Sequence, residues 1–210
     1  RGIEAYDKEG NFIRKYDSGN SGLSNDIILC MTENDSLIWT GSDGGGVNVI
    51  DPSSGKIHSL SHIAGDPSSF PAHSIKSIFA DFYGNIWAGS IRDGLIGISS
   101  SKMKTYSDVH IGMDTGLSNP TTLCLYQDIN NEDIWIGTDG EGLNRFTPST
   151  NRFTHFNSTL KTKVVSIASF SKDELVLSVY GDRFWVFHKK TGSIREMTVN
   201  DAAINYQMKF

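Results

Sequence analysis

Seven side chains in this sequence are of the types that hold a polyhydroxylated ligand. They are two amides, Asn25 and Asn119, three carboxylates, Asp43, Asp139 and Glu141, one guanidinium, Arg92, and one imidazole, His73. Amides donate and accept, carboxylates accept and a guanidinium donates, so such a set around a pit suits the hydroxyl pattern of a sugar. Each also has a plainer use. Asn25 and Asn119 stand where a turn needs a cap, and charges on a hairpin keep a loop solvated. Other chemistries find less support. Gly44-Gly45-Gly46 lacks a following Gly-Lys-Ser/Thr and opens a strand, whereas a phosphate cradle opens a helix. Of six histidines (His58, His62, His73, His110, His155, His188) only His58 and His62 have ligand-like spacing, and they lie on no predicted helix. Asp139 and Glu141 could act as an acid and base pair, yet on a tight hairpin they read as turn formers. No Ser-His-Asp or Cys-His set can be placed on one face. No catalytic residue, metal or cofactor is therefore expected, and the chain is not read as an enzyme.

The elements that must position these residues come from a repeat. Ile38-Trp-Thr-Gly-Ser-Asp-Gly-Gly-Gly-Val47 returns as Ile86-Trp-Ala-Gly-Ser-Ile-Arg-Asp-Gly-Leu95 and as Ile134-Trp-Ile-Gly-Thr-Asp-Gly-Glu-Gly-Leu143. Trp39, Trp87 and Trp135 stand 48 residues apart each time, a period of propeller-blade size. A worn fourth copy runs from Glu174 to Phe184, with Val176 at the tryptophan position and Ser178 at the glycine position. Each full copy reads as four short strands, the first as residues 27–31, 37–40, 47–50 and 56–60, separated by turn-forming clusters. The blades are expected at residues 22–60, 70–107, 116–156 and 162–198. Residues 2–17 read as the last two strands of an earlier blade, and residues 204–210 as the first strand of a later one. The class is all-β: a propeller of four-stranded blades, present as one incomplete arc of about four to five blades from a seven-bladed ring. A closed five-bladed ring, with the C-terminal strand joining the N-terminal pair, is the competing geometry.

Position in the repeat also separates structure from function. The three tryptophans sit in the second strand of each blade, where a large ring packs between neighbouring sheets, and Gly41, Gly89 and Gly137 follow them as structural positions. Trp185 falls at the position of Asn144 and is expected to be more exposed than the other three. Cys30 and Cys124 occupy matching places in innermost strands two blades apart, which predicts buried free thiols rather than a disulfide. The chain carries a net charge of −5 and its one basic doublet, Lys189-Lys190, lies beside a turn, so no nucleic-acid partner is expected. It has no apolar run near the roughly 20 residues of a membrane helix, so no membrane insertion is expected either. Sequon-like triplets at Asn34 and Asn157 carry no weight.

At these residues the chain resembles the two-component regulator propeller repeat. The third copy matches most fully, through Gly116-Leu-Ser-Asn119, Leu123–Leu125, Ile134-Trp-Ile-Gly-Thr138 and Gly142-Leu143. The first keeps Gly22-Leu-Ser-Asn25, while the second has Pro71-Ala-His73 in place of Leu-Ser-Asn. The resemblance implies a periplasmic sensor segment of a hybrid histidine kinase/response regulator. In the family, propellers precede a β-sandwich domain, a membrane helix, a kinase and a receiver, and many members answer to oligosaccharides and control glycan-utilisation genes. Partners implied are an oligosaccharide, the remaining blades and domains of the receptor, and a second receptor chain in a homodimer. In such propellers the loops joining strands two and three share a face with the blade-to-blade loops, which would gather Asn25, His73 and Asn119 beside Asp43, Arg92, Asp139 and Glu141. The alternatives are a propeller that binds no ligand and supplies dimer surface, and a propeller-fold carbohydrate-active enzyme.

Overall fold

A computed structural model of the chain describes residues 1–99, 102–107, 114–156, 160–181 and 183–198. His110, the triplet at Asn157 and the strand expected at residues 204–210 lie outside the described residues. Every regular element among those described is a strand. Two short strands, β1 (Ile3–Tyr6) and β2 (Phe12–Tyr16), pair as an antiparallel ribbon. Four four-stranded antiparallel sheets follow. The first full blade is β3 (Ile28–Asn34), β4 (Leu37–Ser42), β5 (Gly46–Ile50) and β6 (Ile57–Leu60). The second is β7 (Ile75–Ala80), β8 (Ile86–Ser90), β9 (Leu95–Ile98) and β10 (Met103–Tyr106). The third is β11 (Thr122–Gln127), β12 (Ile134–Thr138), β13 (Leu143–Thr147) and β14 (Arg152–His155). The fourth is β15 (Val164–Ser169), β16 (Glu174–Val179), β17 (Phe184–His188) and β18 (Ile194–Glu196). In every sheet the strands lie side by side in chain order, the arrangement of a propeller blade.

The repeat is repeated in detail. Each innermost strand carries a register shift at the same place, between Ile28 and Cys30, Ile75 and Ser77, Thr122 and Cys124, and Val164 and Ser166. A bulge there bends the strand and strengthens its twist. The worn fourth copy keeps the register despite losing its signature, since Val176 faces Val186 as Trp135 faces Arg145.

The chain divides into two compact units, residues 1–107 and 108–210. In the first, β3 and β4 pack against β7, forming a seam between two blades. Val47, Phe70, Ala72, Ile75, Ile78, Ile86, Ala88 and Ile96 fill that seam, with Cys30 and Trp39 against them. A smaller cluster of Tyr16, Leu23 and Ile50 joins the ribbon to the first full blade. In the second unit β11 and β12 pack against β15, and the seam holds Trp135, Leu143, Val164, Ile167, Leu175, Leu177 and Phe187. Apart from Leu23, Phe70 and Ala72, which reach in from the loops, these positions lie on strands, whose alternation survives where the motif does not.

The third residue after the signature isoleucine is glycine because the next blade is too close for a side chain. A Cβ at Gly41 would stand 2.5 Å from Cys30 Sγ and 2.5 Å from Ile75 Cγ2; at Gly137 it would stand 2.5 Å from Cys124 Sγ and 2.5 Å from the carbonyl oxygen of Val164. The thiols donate across the same seams, Cys30 Sγ to the Ile75 carbonyl at 3.6 Å and Cys124 Sγ to the Val164 carbonyl at 3.5 Å. Both cysteines are free. Burial pushes their thiols up to about 11 for Cys30 and about 12 for Cys124, so both stay protonated and unreactive.

Candidate ligand-binding site

The hairpin between second and third strands is built the same way in each unit. Ser42 Oγ donates to the Gly46 carbonyl at 3.1 Å and Thr138 Oγ1 to the Gly142 carbonyl at 2.9 Å, closing the loop from inside. Gly46 and Gly142 sit at φ of 72° and 74° and hand their amides to the incoming loop of the next blade. Gly46 N–H reaches the His73 carbonyl at 2.7 Å, and Gly142 N–H the Thr162 carbonyl at 3.0 Å. Glycine takes that positive φ without steric cost, and a Cβ at either position would run into the carbonyl oxygen of Leu60 or Leu160.

The Leu-Ser-Asn motif docks beneath the hairpin. Leu23 and Leu117 are buried, and the amides of Ser24 and Ser118 donate to the Oδ1 atoms of Asn48 at 3.0 Å and Asn144 at 2.9 Å. Asn25 Oδ1 accepts from the Ile27 amide at 2.7 Å, and Asn119 Oδ1 from the Thr121 amide at 2.8 Å. Asn119 Nδ2 donates to the Asp139 carbonyl at 2.9 Å. Both asparagines hold their own loops, the turn-capping use expected of them.

In unit 1 the hairpins of two successive blades and the loop between them enclose a concavity of about 320 Å³, lined by Asp43, His73, Ser74, Ile91, Arg92 and Asp93. Three of the sequence-derived candidates, Asp43, His73 and Arg92, therefore meet there. Ser74 Oγ donates to Asp43 Oδ1 at 2.8 Å and accepts from the Gly44 amide at 2.9 Å. Ser90 Oγ accepts from the amides of Asp93 at 2.5 Å and Arg92 at 3.3 Å, which fixes the second hairpin. The Arg92 side chain is exposed and makes no hydrogen bond or ion pair with a described residue. His73 is exposed, and its ring lies 4.2 Å from that of His62, whose Nδ1 is 3.1 Å from the Phe70 carbonyl. His62 thus serves as a support for His73, while His58 stands exposed on β6.

The equivalent place in unit 2 is bridged by an ion pair. Lys163 holds the position of Ser74, and its Nζ lies 2.6 Å from Asp139 Oδ1. The hydrogen bond to Asp139, with that carboxylate's charge, raises the Lys163 ammonium above its ordinary value. The Glu141 carbonyl accepts from Ser118 Oγ at 3.3 Å. Asn119, on the loop before β11, lies against the β12–β13 hairpin that carries Asp139 and Glu141, where the Asp139 carboxylate is paired with Lys163 and both hairpin carbonyls accept from the loop.

Ser74, Ile91 and Asp93 were not singled out by the sequence. Ser74 and Asp93 could have been found by aligning the blades, since they stand where the other unit carries Lys163 and Glu141. The tryptophans pack as structure. Trp135 is fully buried, Trp87 is 7% exposed with its Nε1 donating to Asp81 Oδ2 at 2.9 Å, and Trp39 lies against the unit 1 core. Trp185 is half-buried against the Trp135 cluster.

Residues 116–140, the copy in which the motif is fullest, match the family model described as two component regulator propeller. The resemblance drawn from the third copy thus stands. No curated protein matches the chain. Among solved structures it is similar to the extracellular domain of the hybrid two component system BT3049 from B. thetaiotaomicron, with a TM-score of 0.77 at 14% identity over 89% of this chain and 26% of that one. It is also similar to the extracellular domain of the hybrid two component system BT4673 from the same organism, with a TM-score of 0.73 at 20% identity over 93% of this chain and 25% of that one. PorZ, a surface component of the type-IX secretion system of Porphyromonas gingivalis, matches with a TM-score of 0.68 at 14% identity, over 95% of this chain and 31% of PorZ. These likenesses establish the propeller-type fold. The chain spans about a quarter to a third of the length of the structures it matches.

Proposed function

We propose that this chain is the propeller segment of an extracytoplasmic, periplasmic sensor of a hybrid two-component system. In this reading the hairpin end of unit 1 receives an oligosaccharide, and occupancy shifts the packing of two receptor chains. The signal then passes through a kinase and receiver outside this sequence to genes of glycan use. The observation that carries the reading is the match of residues 116–140 to the two component regulator propeller. The extracellular sensor domains among the structural neighbours support it.

The choice of unit 1 rests on its chemistry. Asp43, Asp93, Ser74, His73 and the exposed guanidinium of Arg92 offer donors and acceptors to an open concavity, and a ring of hydroxyls satisfies both kinds. In unit 2 the ion pair of Lys163 with Asp139 favours a supporting role for that hairpin. Binding must discriminate between two receptor states to transmit a signal, so affinity alone is insufficient.

The test is a transcriptional reporter driven by the intact receptor and challenged with an oligosaccharide panel. Alanine at Asp43 and Arg92 together should abolish induction by the active sugar while leaving receptor abundance unchanged. Wild-type induction that survives both substitutions would remove the ligand site from this seam.

A further inference from the structure

We propose that the opposite end of the unit 1 seam is a second ligand site, for a small aromatic ring that carries an ammonium group. Three turns meet there: the β3–β4 turn with Asn34 and Asp35, the β7–β8 turn with Gly84, and the chain leaving β9 at Ile98 and Ser99. Together with Leu37, Trp39 and Ile86 they enclose a cavity of about 210 Å³. That is below the roughly 300–1,000 Å³ of sites for drug-sized molecules, so the occupant is small.

The same three turns meet in unit 2, where the protein supplies its own occupant. Phe187, at the position of Ile98, is fully buried with its ring 5.5 Å from that of Trp135 in an edge contact. Two residues on, Lys189 turns inward although it is a lysine in a turn. Its Nζ lies 2.9 Å from Asp128 Oδ2 and 3.0 Å from the Lys172 carbonyl, with only 8% of its side chain exposed. A ring and an ammonium group therefore fill that seam end. In unit 1 the matching sequence is Ile98-Ser99-Ser100, with Ser100 outside the described residues.

The polar groups left in unit 1 match the missing pair. The second blade satisfies its tryptophan with Asp81, but the matching residue in the first is Asn34, whose Nδ2 is spent on the Gly84 carbonyl at 3.2 Å. Trp39 Nε1 is buried and unpartnered. Trp135 Nε1 is unpartnered too, but among rings that leave no room. Asp35 stands exposed on the rim with no hydrogen bond or ion pair to a described residue. An arylalkylamine of the tyramine type would lay its ring on Trp39 and Ile98, bring its ammonium to Asp35 and accept from Trp39 Nε1 through its hydroxyl.

The test uses the full chain and follows its indole N–H signals by NMR, with Trp39 assigned through Trp39→Phe. Tyramine should shift the Trp39 signal saturably and leave Trp135 in place, with p-cresol and butylamine binding more weakly than tyramine. Ile98→Phe, which copies the filling of unit 2, should abolish the shift. Asp35→Asn should weaken binding about threefold, as expected for a rim charge; should Ile98→Phe not fold, this variant decides. A Trp39 signal that tyramine leaves unmoved, an equal response to butylamine, or unchanged affinity in a folded Ile98→Phe or Asp35→Asn protein would overturn the proposal. Neither result bears on the hairpin-side site, which shares none of these residues.

Discussion

The two seams of this chain are built on one plan and finished differently. In unit 2 a lysine bridges each end, Lys163 to Asp139 on the hairpin side and the buried Lys189 to Asp128 on the other. In unit 1 Ser74 takes the place of Lys163, Ser100 that of Lys189, and a cavity lies at each end, of about 320 and 210 Å³. The strand pairing, the bulges and the glycines Gly41 and Gly137 are common to both, while side-chain charge and volume differ, as does the length of the loop between the blades, residues 61–74 in unit 1 and 156–163 in unit 2. A repeat protein can in this way finish two seams differently without altering a strand, and we propose that the one in unit 1 serves recognition.

The largest effect should come from opening the closed seam. Lys189→Ala leaves Asp128, only 1% exposed, without its cation and should cost about 3–5 kcal/mol in urea unfolding. The paired change Asp128→Asn with Lys189→Met should recover most of it. Burial pushes the Asp128 carboxyl up, but the hydrogen bonds from Lys189 and Asn130 and the charge of Lys189 outweigh it and hold it below its ordinary value. The stabilisation from this lowered group is present above the unfolded carboxylate value of about 3.9 and is lost as pH falls through the folded one. The midpoint should thus drop more steeply below about pH 4 in the native chain than in the paired variant.

A smaller contrast lies in the signature glycines. Gly137→Ala drives a Cβ into the Val164 carbonyl oxygen, which belongs to the backbone and cannot turn aside, whereas Gly41→Ala meets side-chain atoms of Cys30 and Ile75. We expect a loss of about 2–3 kcal/mol for the first and about 1–2 for the second, read from the same denaturation curves. Equal losses would show that the two seams are equally rigid, against the comparison drawn here.

The smallest effect on stability and the sharpest on recognition should follow from exchanging the seam residues. Ser74→Lys should pair with Asp43 and abolish induction by the active oligosaccharide. Lys163→Ser should change stability little, since the Lys163 side chain is 48% exposed. Calorimetric titration of both variants with the active sugar, beside their melting curves, checks the pair.

These contrasts also explain what could be read from residues alone. The 48-residue spacing of Trp39, Trp87 and Trp135 and the loop chemistry around them reveal what all blades share, and that is the fold. The strands, the hairpins and the meeting of Asp43, His73 and Arg92 were legible for this reason. The bulges were not, because an extra residue leaves no mark on a period-2 pattern of short strands. Nor was Lys189: in sequence it is half of a basic doublet beside a turn, and its partner Asp128 lies 61 positions earlier, counted from the two residue numbers, on another blade. The proposed site lies where blades differ, and a single sequence shows a difference without showing what it faces. Asn25 and Asn119 illustrate the converse, as residues repeated for a turn-holding purpose that both units need.

The central claim is that recognition belongs to the open seam of unit 1, and backbone NMR of the 23.1 kDa chain during oligosaccharide titration tests it most directly. The account predicts that an active sugar perturbs the amides of Asp43, His73, Ser74, Arg92 and Asp93 and leaves those of Asn119, Asp139 and Lys163 in place. Perturbations centred on the Lys163–Asp139 hairpin instead would contradict it.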